Sequence, residues 1–371
     1  MMGQVKTWPI VINNTCVTGE AGRELVTTRK NLRPTMTDVA KKAGVSQRTV
    51  SNVVRNYQYV APHTRERVLK TIAEVGYRPN KAARQLRSGR TKLIALAVPD
   101  ITWPYFSMLA QAIQVEANRV GLTLIVRETR GSASVERQVL EDFHTGSVDG
   151  LIISPIELSG QELRELDLGI PVVLLGERIH DAGLLHLSID NVSAARKMME
   201  YLIDRGARSF WIVGDSDTMA TRSAGKLRKQ GFIEAASLNG FCEDAWIQLP
   251  ASPWTLENGY ATVSAQLGKR RPPDAIICMN DLLALGALRA CQESGFMVPQ
   301  DTMISGWDDI PFAAFCTPPI TTISADLATI SRKAVGGLKI LFDEPDSKLS
   351  DVTVGYKLLS RESTGTLFSR D

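Results

Sequence analysis

Side chains able to hydrogen-bond DNA bases recur on one side of a short segment near the start of the chain. They are Gln47, Arg48, Ser51, Asn52 and Arg55. The valines of the same segment fall on the opposite side, so the segment is predicted to be an amphipathic helix. In the major groove Arg can pair with guanine, and Gln or Asn with adenine. Because a polar helix face is in general only solvated, the DNA interpretation depends on the surrounding sequence.

The residues before this helix indicate another helix and a tight turn. Thr35 can cap a helix with Asp38 at the reciprocal position, and the apolar residues that follow keep 3.6-residue spacing. Gly44 interrupts this helix, and Ser46 is a second capping residue. Two short helices joined by a tight turn with glycine are typical of a helix-turn-helix unit.

A third helix and a basic arm are predicted to follow. The helix begins near Pro62, which suits a first helical position, and its core-facing residues are Val68, Leu69, Ile72 and Val75. The arm, KAARQLRSGRTK (81–92), holds a helix too short to be stable alone in water. We expect the arm to fold on DNA, with Leu86 as an apolar wedge in the minor groove and its arginines on phosphates.

The charge distribution separates a basic head from an acidic body. Residues 34–92 contain thirteen Lys or Arg against three Asp or Glu, whereas residues 93–371 carry a formal charge of −10 within a total of +3. A local excess of this size predicts a polyanionic partner for the head alone. At 371 residues with 44% apolar residues, the chain can bury more than one core.

The body alternates apolar strands with amphipathic helices. A first set of strands is predicted at 93–99, 122–128, 150–155, 170–177 and 187–190, and a second set at 210–215, 245–250, 275–280 and 303–309. Continuous apolar strands separated by helices indicate parallel sheets covered on both faces. Two such sheets in tandem predict two α/β lobes, with ligands bound outside the carboxyl ends of the strands.

Polar and aromatic side chains follow several of these strands and could converge on a cleft. The first set supplies Asp100, Trp103, Tyr105, Phe106, Glu177 and Arg178, and the second supplies Arg228, Trp254, Asn280, Asp281, Trp307, Asp308 and Asp309. Arg and carboxylates can hold paired hydroxyls, and an aromatic face can cover the apolar side of a sugar ring. Ordinary structural explanations stand beside this one: a helix-start charge for Asp281, core or surface positions for the tryptophans, and a solvated basic run around Arg228.

Other classes of protein have little support in the sequence. No phosphate-loop, dinucleotide-binding or G-x-S-x-G motif is present, which argues against an enzyme with a DNA-binding head. The five cysteines are scattered and the four histidines lack metal-ligand spacing, so no disulfide framework, metal site or cofactor is expected. The histidines of the body, His144, His180 and His186, are expected in loops or at the surface. No apolar run reaches the ~18 residues of a membrane span and a signal-peptide pattern is missing, so we expect a cytoplasmic protein rather than a secreted receptor.

The segments TDVAKKAGVSQRTVSNVVRN and YRPNKAARQLRSGRTK, together with the body, resemble the LacI/GalR family of bacterial repressors. The resemblance covers nearly all of residues 35–371. It implies an N-terminal three-helix helix-turn-helix domain plus hinge helix, followed by a two-lobed, periplasmic-binding-protein-like α/β body.

The chain is then expected to cross between the lobes near residues 190, 323 and 345. We divide it into a flexible extension (1–33), the DNA-binding domain (34–79), the hinge helix or linker (80–91) and an effector-binding and dimerisation body (92–371), with lobe 1 at about 92–190 and 324–345 and lobe 2 at about 191–323 and 346–371.

The family likeness also implies roles for individual residues. Base contacts are implied for Gln47, Arg48 and Asn52, and Ala83 and Leu86 match hinge positions that insert at a kinked step of the operator. The full set of expected DNA contacts is Thr35, Ser46, Gln47, Arg48, Thr49, Ser51, Asn52, Asn80, Ala83, Leu86 and Arg87. The expected effector contacts are Tyr105, Phe106, Glu177, Arg228, Trp254, Asn280 and Asp308.

These residues predict a transcriptional repressor that binds a pseudo-palindromic operator as a homodimer and responds to a small ligand. A sugar or sugar derivative is the expected effector, and a purine-type co-repressor is the alternative. Two departures from the family pattern bear on the effector. Gly176 followed by Glu177 stands where many sugar-responsive members place an aspartate, and Ala325 replaces a frequent glutamine.

Overall fold

The computed structural model describes residues 34–78, 89–144, 146–165, 168–177, 179, 182–215 and 223–365. The chain divides into two compact units, one ending at residue 81 and the other starting at residue 82. The first contains the three helices of the head, and the second contains both lobes of the body. The predicted extension (1–33) and most of the predicted hinge lie outside the described residues.

Three helices form the head. They are α1 (Met36–Ala43), α2 (Gln47–Val54) and α3 (Pro62–Val75). The side chain of Thr35 accepts from the N–H of Asp38, and the Asp38 carboxylate accepts from the N–H of Thr35 at 2.8 Å, which completes a capping box. Gly44 ends α1 with a φ of 64°, a left-handed value that glycine adopts without strain.

The core of the head combines one apolar side of each helix. Its fully buried members include Val39, Val50 and Val68. The expectation that Leu69 belongs to this core is wrong, because its side chain is 49% exposed. Thr71 holds the neighbouring buried position instead, since its hydroxyl donates to the carbonyl of Arg67 at 2.8 Å and is thereby satisfied away from water.

The body alternates strands and helices along most of its length. In chain order its elements are β1 (Leu93–Val98), α4 (Pro104–Arg119), β2 (Thr123–Glu128), α5 (Ala133–His144), β3 (Gly150–Ile153), α6 (Gly160–Glu165), β4 (Val172–Leu175), β5 (Leu185–Ile189), α7 (Asn191–Asp204), β6 (Phe210–Asp215), α8 (Ala224–Leu238), β7 (Trp246–Pro250), α9 (Leu256–Leu267), β8 (Ala275–Cys278), α10 (Asp281–Glu293), β9 (Met303–Ser305), α11 (Pro311–Phe315), β10 (Thr322–Ala325), α12 (Leu327–Asp343), β11 (Val352–Val354) and β12 (Tyr356–Leu359). Each strand predicted from the sequence is present.

Two parallel sheets form the two lobes. The first-lobe sheet has the strand order β11-β5-β4-β3-β1-β2, and the second-lobe sheet has the order β7-β6-β8-β9. The inner strands β3, β4 and β8 are buried along their whole length, as expected where helices cover both faces. The edge strand β2 differs, because Ile125 and Val126 are 37% and 44% exposed.

Within the described residues the chain crosses between the lobes three times, and one crossing differs from the prediction. The first crossing joins β5 to α7 at Asp190, and the second runs along β10. The third was expected near residue 345, but β11 pairs in parallel with β5, so the chain leaves the first lobe only after Val354. Residues 346–354 therefore belong to the first lobe rather than the second. β12 then pairs antiparallel with β10.

Candidate functional site

A cleft of about 1130 Å³ opens between the two lobes. Its walls come from the carboxyl ends of first-lobe strands and from the starts of α8 and α10 and the loop after β9 in the second lobe. The cleft is lined by all seven side chains expected to contact an effector: Tyr105, Phe106, Glu177, Arg228, Trp254, Asn280 and Asp308. Its volume lies slightly above the range of roughly 300–1,000 Å³ that is typical of small-molecule sites.

Arg228 is the buried cation of the cleft, with 6% of its surface exposed. Its Nε donates to Oδ1 of Asn191 at 2.8 Å, and its Nη1 donates to the carbonyl of Met279. The guanidinium lies 4.1 Å from the ring centroid of Trp307 and 5.6 Å from that of Trp254. Within the described part of the chain Nη2 has no hydrogen-bond partner, so it is available to a ligand.

Charged groups from both lobes influence one another across the cleft. Burial raises the pKa of Asp308 to about 7, while Arg228 lowers it and Glu177 of the first lobe raises it further. Burial also raises the pKa of Tyr105, and both carboxylates add to that effect. Burial lowers the pKa of Arg228, and the two carboxylates oppose this by favouring the guanidinium. These four side chains form one electrostatic group that offers a ligand hydroxyl both donors and acceptors.

The backbone that carries Asp308 adopts an uncommon conformation. Asp308 has a φ of 107° and Asp309 a φ of 58°, values that non-glycine residues seldom adopt. The N–H of Asp308 donates to the carbonyl of Ile323 at 2.8 Å. The carboxylate of Asp309 accepts from the hydroxyl of Ser324 at 3.0 Å and forms an ion pair with Arg361 at 2.5 Å. Contacts with the crossing strand β10 and with the segment after β12 thus hold the strained turn in place.

Aromatic side chains cover both walls of the cleft. In the first lobe Tyr105 packs edge-on against Phe106 with ring centroids 5.1 Å apart, and Trp103 stacks on Phe106 at 6.0 Å. In the second lobe Trp254 is half-buried, and its Nε1 donates to the carbonyl of Gly214 at 2.6 Å. Flat apolar surfaces on both sides suit a sugar ring or another compact cyclic ligand.

Asn280 and Asp281 have their polar atoms engaged within the protein. Asn280 caps α10 by accepting a backbone N–H of the first turn at 2.9 Å, and its Nδ2 donates to the carbonyl of Trp254 at 3.2 Å. Asp281 is fully buried and accepts from the N–H of Ile310 at 2.9 Å and from the hydroxyl of Thr322 at 2.7 Å. Asp281 therefore joins the second lobe to β10, and Asn280 lines the cleft with both amide atoms already bonded.

A buried carboxylate that the sequence did not single out shapes the first-lobe wall. Glu136, in the first turn of α5, is fully buried and accepts from the backbone N–H groups of Ile156, Glu157 and Leu158 at 2.7, 3.0 and 2.9 Å. The loop that it holds follows β3 and lines the cleft. A Glu in a first helical turn is also typical of a solvated charge, so its type and position alone do not reveal an anchor.

The expectation that His186 lies in a loop or at the surface is wrong. It belongs to β5, is 2% exposed, and its Nε2 contacts the carbonyl of Gly176. Its Nδ1 is 3.7 Å from the carboxylate of Asp351. The error arises because β5 was expected to begin at residue 187, whereas it begins at Leu185.

The head presents α2 with much of its polar side accessible. Gln47, Arg48 and Arg55 are exposed, and Ser51 and Asn52 are half-buried. Other expected DNA contacts either cap helices in the structure or lie outside its described residues. Thr35 and Ser46 cap helices, with Ser46 Oγ accepting from the N–H of Thr49 at 3.1 Å. Asn80, Ala83, Leu86 and Arg87 lie outside the described residues.

Other kinds of site are not found in the described residues. No group of three or more His, Cys, Asp or Glu there could hold a metal ion. No helix in that part of the chain is both long and apolar enough to cross a membrane. Cys278 and Cys291 are free but buried, and burial raises the pKa of both thiols, so they are poor nucleophiles.

Comparison with known proteins identifies the family. Residues 35–80 match the model of bacterial regulatory proteins of the lacI family, and residues 199–364 match that of the periplasmic binding protein-like domain. The HTH-type transcriptional repressor CytR of Escherichia coli (strain K12) is 32% identical over 305 residues, which are 81% of this chain and 87% of CytR. The chain belongs to the LacI family. It is therefore a DNA-binding transcriptional regulator under effector control.

Solved structures of LacI-family regulators have the same architecture. The lac repressor dimer bound to operator and the anti-inducer ONPF matches with a TM-score of 0.77 and 26% identity, over 90% of this chain and 99% of that one. The regulator CelR in complex with cellobiose matches with a TM-score of 0.63 and 27% identity, over 89% and 100% of the two chains. The fold class predicted from the sequence is confirmed. The relatives are repressors, in agreement with the prediction that the chain is not an enzyme.

Proposed function

We propose that this LacI-family regulator is a repressor that binds a pseudo-palindromic operator as a homodimer and responds to a sugar or sugar derivative bound in the cleft. The observation that carries the proposal is the convergence of Arg228, Glu177 and Asp308 between aromatic walls. Because the proposed target is operator DNA, we propose that the protein acts in the cytoplasm.

The polar groups of the cleft fit a polyol better than a ligand of one charge type. Nη2 of Arg228 can donate to a ligand oxygen, and the carboxylates of Glu177 and Asp308 can accept from its hydroxyls. Tyr105 and Trp254 supply apolar faces for the remaining ring surface. The related regulator CelR was solved with cellobiose, a sugar, which supports the same class of effector here.

We propose that the head reads the operator through α2. Gln47, Arg48 and Asn52 would contact base edges, while the hydroxyl groups of Thr35, Ser46, Thr49 and Ser51 suit phosphate oxygens near the helix starts. Asn80, Ala83, Leu86 and Arg87 are proposed to form the hinge contacts. One reading helix makes few base contacts, so two copies related by a twofold axis give the discrimination that an operator requires.

Exposed apolar residues on both lobes support a homodimer. On the first lobe Val115 and Val120 are exposed, as are Ile125 and Val126 of the edge strand β2, with Val115 at 48%. On the second lobe Phe312 and Phe315, three residues apart around α11, are 63% and 88% exposed. Apolar groups in such positions mark protein interaction sites, and twofold dimers are the commonest soluble oligomers.

The effector proposal is tested by the thermal stability of the full chain in a ligand panel. The panel holds neutral mono- and disaccharides, sugar phosphates, nucleosides and purine bases. We expect at least one sugar to raise the melting temperature, since a ligand at a hundred times its Kd stabilises by about 2.7 kcal/mol. Arg228→Ala should remove this shift, and Arg332→Ala, on the exposed side of α12, should keep it. If only purines raise the melting temperature, the effector is of the purine type rather than a sugar. If no compound raises it, the proposal is contradicted.

A further inference from the structure

Asn191 lies where the chain first crosses between the lobes. It is the first residue of α7, two positions after the last residue of β5, and is 1% exposed. Its Oδ1 accepts from Nε of Arg228 at 2.8 Å, and its Nδ2 is 3.4 Å from the carbonyl of Ile189, the end of β5. The buried amide of Asn191 thus contacts both Ile189, where β5 ends, and Arg228, the cation of the cleft. A buried amide in this position is costly to leave unpaired.

The contacts of Arg228 fix where its remaining donor lies. Asn191 accepts from Nε, and the carbonyl of Met279 accepts from Nη1. A guanidinium is planar and rigid, so holding two of its nitrogens determines the position of Nη2. Among the described residues Asn191 is the one side chain that accepts a hydrogen bond from Arg228.

Close packing of two helices sets the distance between Asn191 and Arg228. Gly231 lies three residues after Arg228 on α8, and therefore on the same side of the helix. A Cβ on Gly231 would lie 2.2 Å from the carbonyl oxygen of Val192, the residue after Asn191. The backbones of α7 and α8 are thus in direct contact beside the hydrogen bond, which leaves little freedom in its geometry.

We propose that Asn191 is the positioning residue that orients Arg228 toward the ligand, and that it transmits a ligand-induced shift of Arg228 to the first crossing between the lobes. The inference rests on the proposed function, in which Arg228 binds the effector. A ligand that draws on Nη2 shifts the rigid guanidinium, and Nε moves with it. Because Nε is hydrogen-bonded to Asn191, the shift reaches the first crossing between the lobes.

Substitutions that keep or remove the acceptor separate this role from simple packing. Asn191→Asp retains an oxygen that accepts from Nε, and Asn191→Leu has a similar size without one. The matched control is Asn239→Leu at the C-terminal end of α8, where the amide donates to the carbonyl of Ala235. All variants are made in the full chain, and their melting temperatures are recorded first.

The orienting role is measured without any ligand. In protein labelled with ¹⁵N-arginine, the Nε–H signal of Arg228 is assigned by its loss in Arg228→Lys. We expect slow solvent exchange of this proton in the wild type, Asn191→Asp and Asn239→Leu, and fast exchange in Asn191→Leu. Slow exchange in Asn191→Leu overturns the proposal. Loss of protection in a folded Asn191→Asp variant does so as well, which keeps the test decisive if the leucine variant does not fold.

The transmission role is measured with the panel compound that raises the wild-type melting temperature most. Its affinity should fall roughly 10- to 100-fold in Asn191→Leu, the range for a lost hydrogen bond to a charged group, and stay within a few-fold in Asn191→Asp. At saturating compound, the change in operator affinity should persist in Asn191→Asp and shrink in Asn191→Leu. Equal losses in both variants, or a full response in saturated Asn191→Leu, overturn the transmission step. If no compound binds the wild type, the proposed function and this step fail together, while the exchange measurement still decides the orienting role.

Discussion

At the scale of single residues, the chemistry of the cleft depends on how little water reaches Asp308. Its carboxyl has an ordinary pKa of 3.8, and burial raises it to about 7 even beside Arg228. Between those two pH values the folded chain holds a proton that the unfolded chain releases. The free energy of unfolding therefore falls progressively as the pH rises from about 4 to about 7, because the unfolded chain gains stability by releasing this proton and the folded chain keeps it.

Sugar binding should depend on pH through Asp308. The ionised fraction of a group with a pKa near 7 rises from about a tenth at pH 6 to about nine tenths at pH 8. Because the carboxylate accepts from ligand hydroxyls, the affinity should rise roughly tenfold over this interval. Titration calorimetry at pH 6, 7 and 8 should show a flat and weaker profile for Asp308→Asn, and a wild-type profile for the exposed control Asp244→Asn. The same slope in Asp308→Asn and the wild type would show that another group titrates.

Operator recognition should separate into base reading and phosphate binding. Arg48→Ala should relax sequence preference at one operator position by about 1–3 kcal/mol, because a guanine pair is lost. Arg87→Ala should weaken binding to all sequences and flatten the salt dependence. Binding of both variants to operator variants and to unrelated DNA at several salt concentrations distinguishes the two effects. If both variants lose affinity equally for every duplex, the assignment of Arg48 to bases is wrong.

Residue types pointed to the lining of the cleft, but not to how its members are held. Glu177 and Asp308 could be named because they follow strand ends, and strand ends of parallel sheets meet at one edge. Arg228 lies in a basic run, and only the likeness to the LacI family indicated its role. Asn191 could not, because it lies 37 residues before Arg228 in sequence and meets it only through the packing of two helices. The sequence around Asn280 likewise does not reveal that both of its amide atoms are already hydrogen-bonded.

At the scale of elements, α9 and α10 position part of the second-lobe wall through a close contact. A Cβ on Gly259 of α9 would lie 2.4 Å from the carbonyl oxygen of Leu283, and a Cβ on Gly286 of α10 would lie 2.2 Å from that of Leu256. Each helix therefore needs a glycine where it meets the other. α10 begins beside Asn280, which lines the cleft, so this packing also places a cleft residue.

Adding one methyl group at this contact should destabilise the body. Gly286→Ala should lower the free energy of unfolding by about 1–3 kcal/mol, since the carbonyl it meets belongs to a helix backbone. The matched control is Gly336→Ala in α12, where nothing lies within 4 Å of the added Cβ. That control should be neutral or stabilising by up to about 1 kcal/mol. Urea denaturation of the three proteins measures both effects, and equal stabilities would contradict the close contact.

The strands with continuous apolar sequence were predictable, and the short strands β10, β11 and β12 were not. β1 and β6 can be recognised locally because they are apolar and flanked by turns. β11 has three residues, and its place in the first-lobe sheet depends on pairing with β5, far away in sequence. A local pattern contains no information on such pairing, which is why the third crossing was expected too early.

At the scale of the whole molecule, the proposed link between ligand binding and operator binding involves two copies of the chain. The proposed dimer would hide the exposed phenylalanines of α11 and the valines beside β2. Both surfaces belong to the lobes whose arrangement a ligand would change. A ligand-dependent change in the geometry of the dimer would then act on two DNA-binding heads together.

Charge placed on the second-lobe surface should separate the copies. Phe315→Glu puts a carboxylate at a position that is 88% exposed in the single chain, so the fold should survive while association weakens. The control is Leu238→Glu, an apolar residue of α8 that is 76% exposed. Analytical ultracentrifugation should find Phe315→Glu shifted toward monomer and the control dimeric. A dimer of unchanged affinity in Phe315→Glu would remove this surface from the interface.

The central claim, that a ligand in the cleft controls operator binding by this chain, is tested most directly by operator affinity with and without the ligand. The operator is selected from random DNA by the full chain, and its affinity is measured by fluorescence anisotropy with the sugar that gives the largest thermal shift. We predict a 5- to 150-fold change in the wild type, the usual range of allosteric coupling. Arg228→Ala should bind the operator as the wild type does without sugar and show no response to it. An operator affinity that the bound sugar leaves unchanged, or that changes equally in Arg228→Ala, would contradict the account.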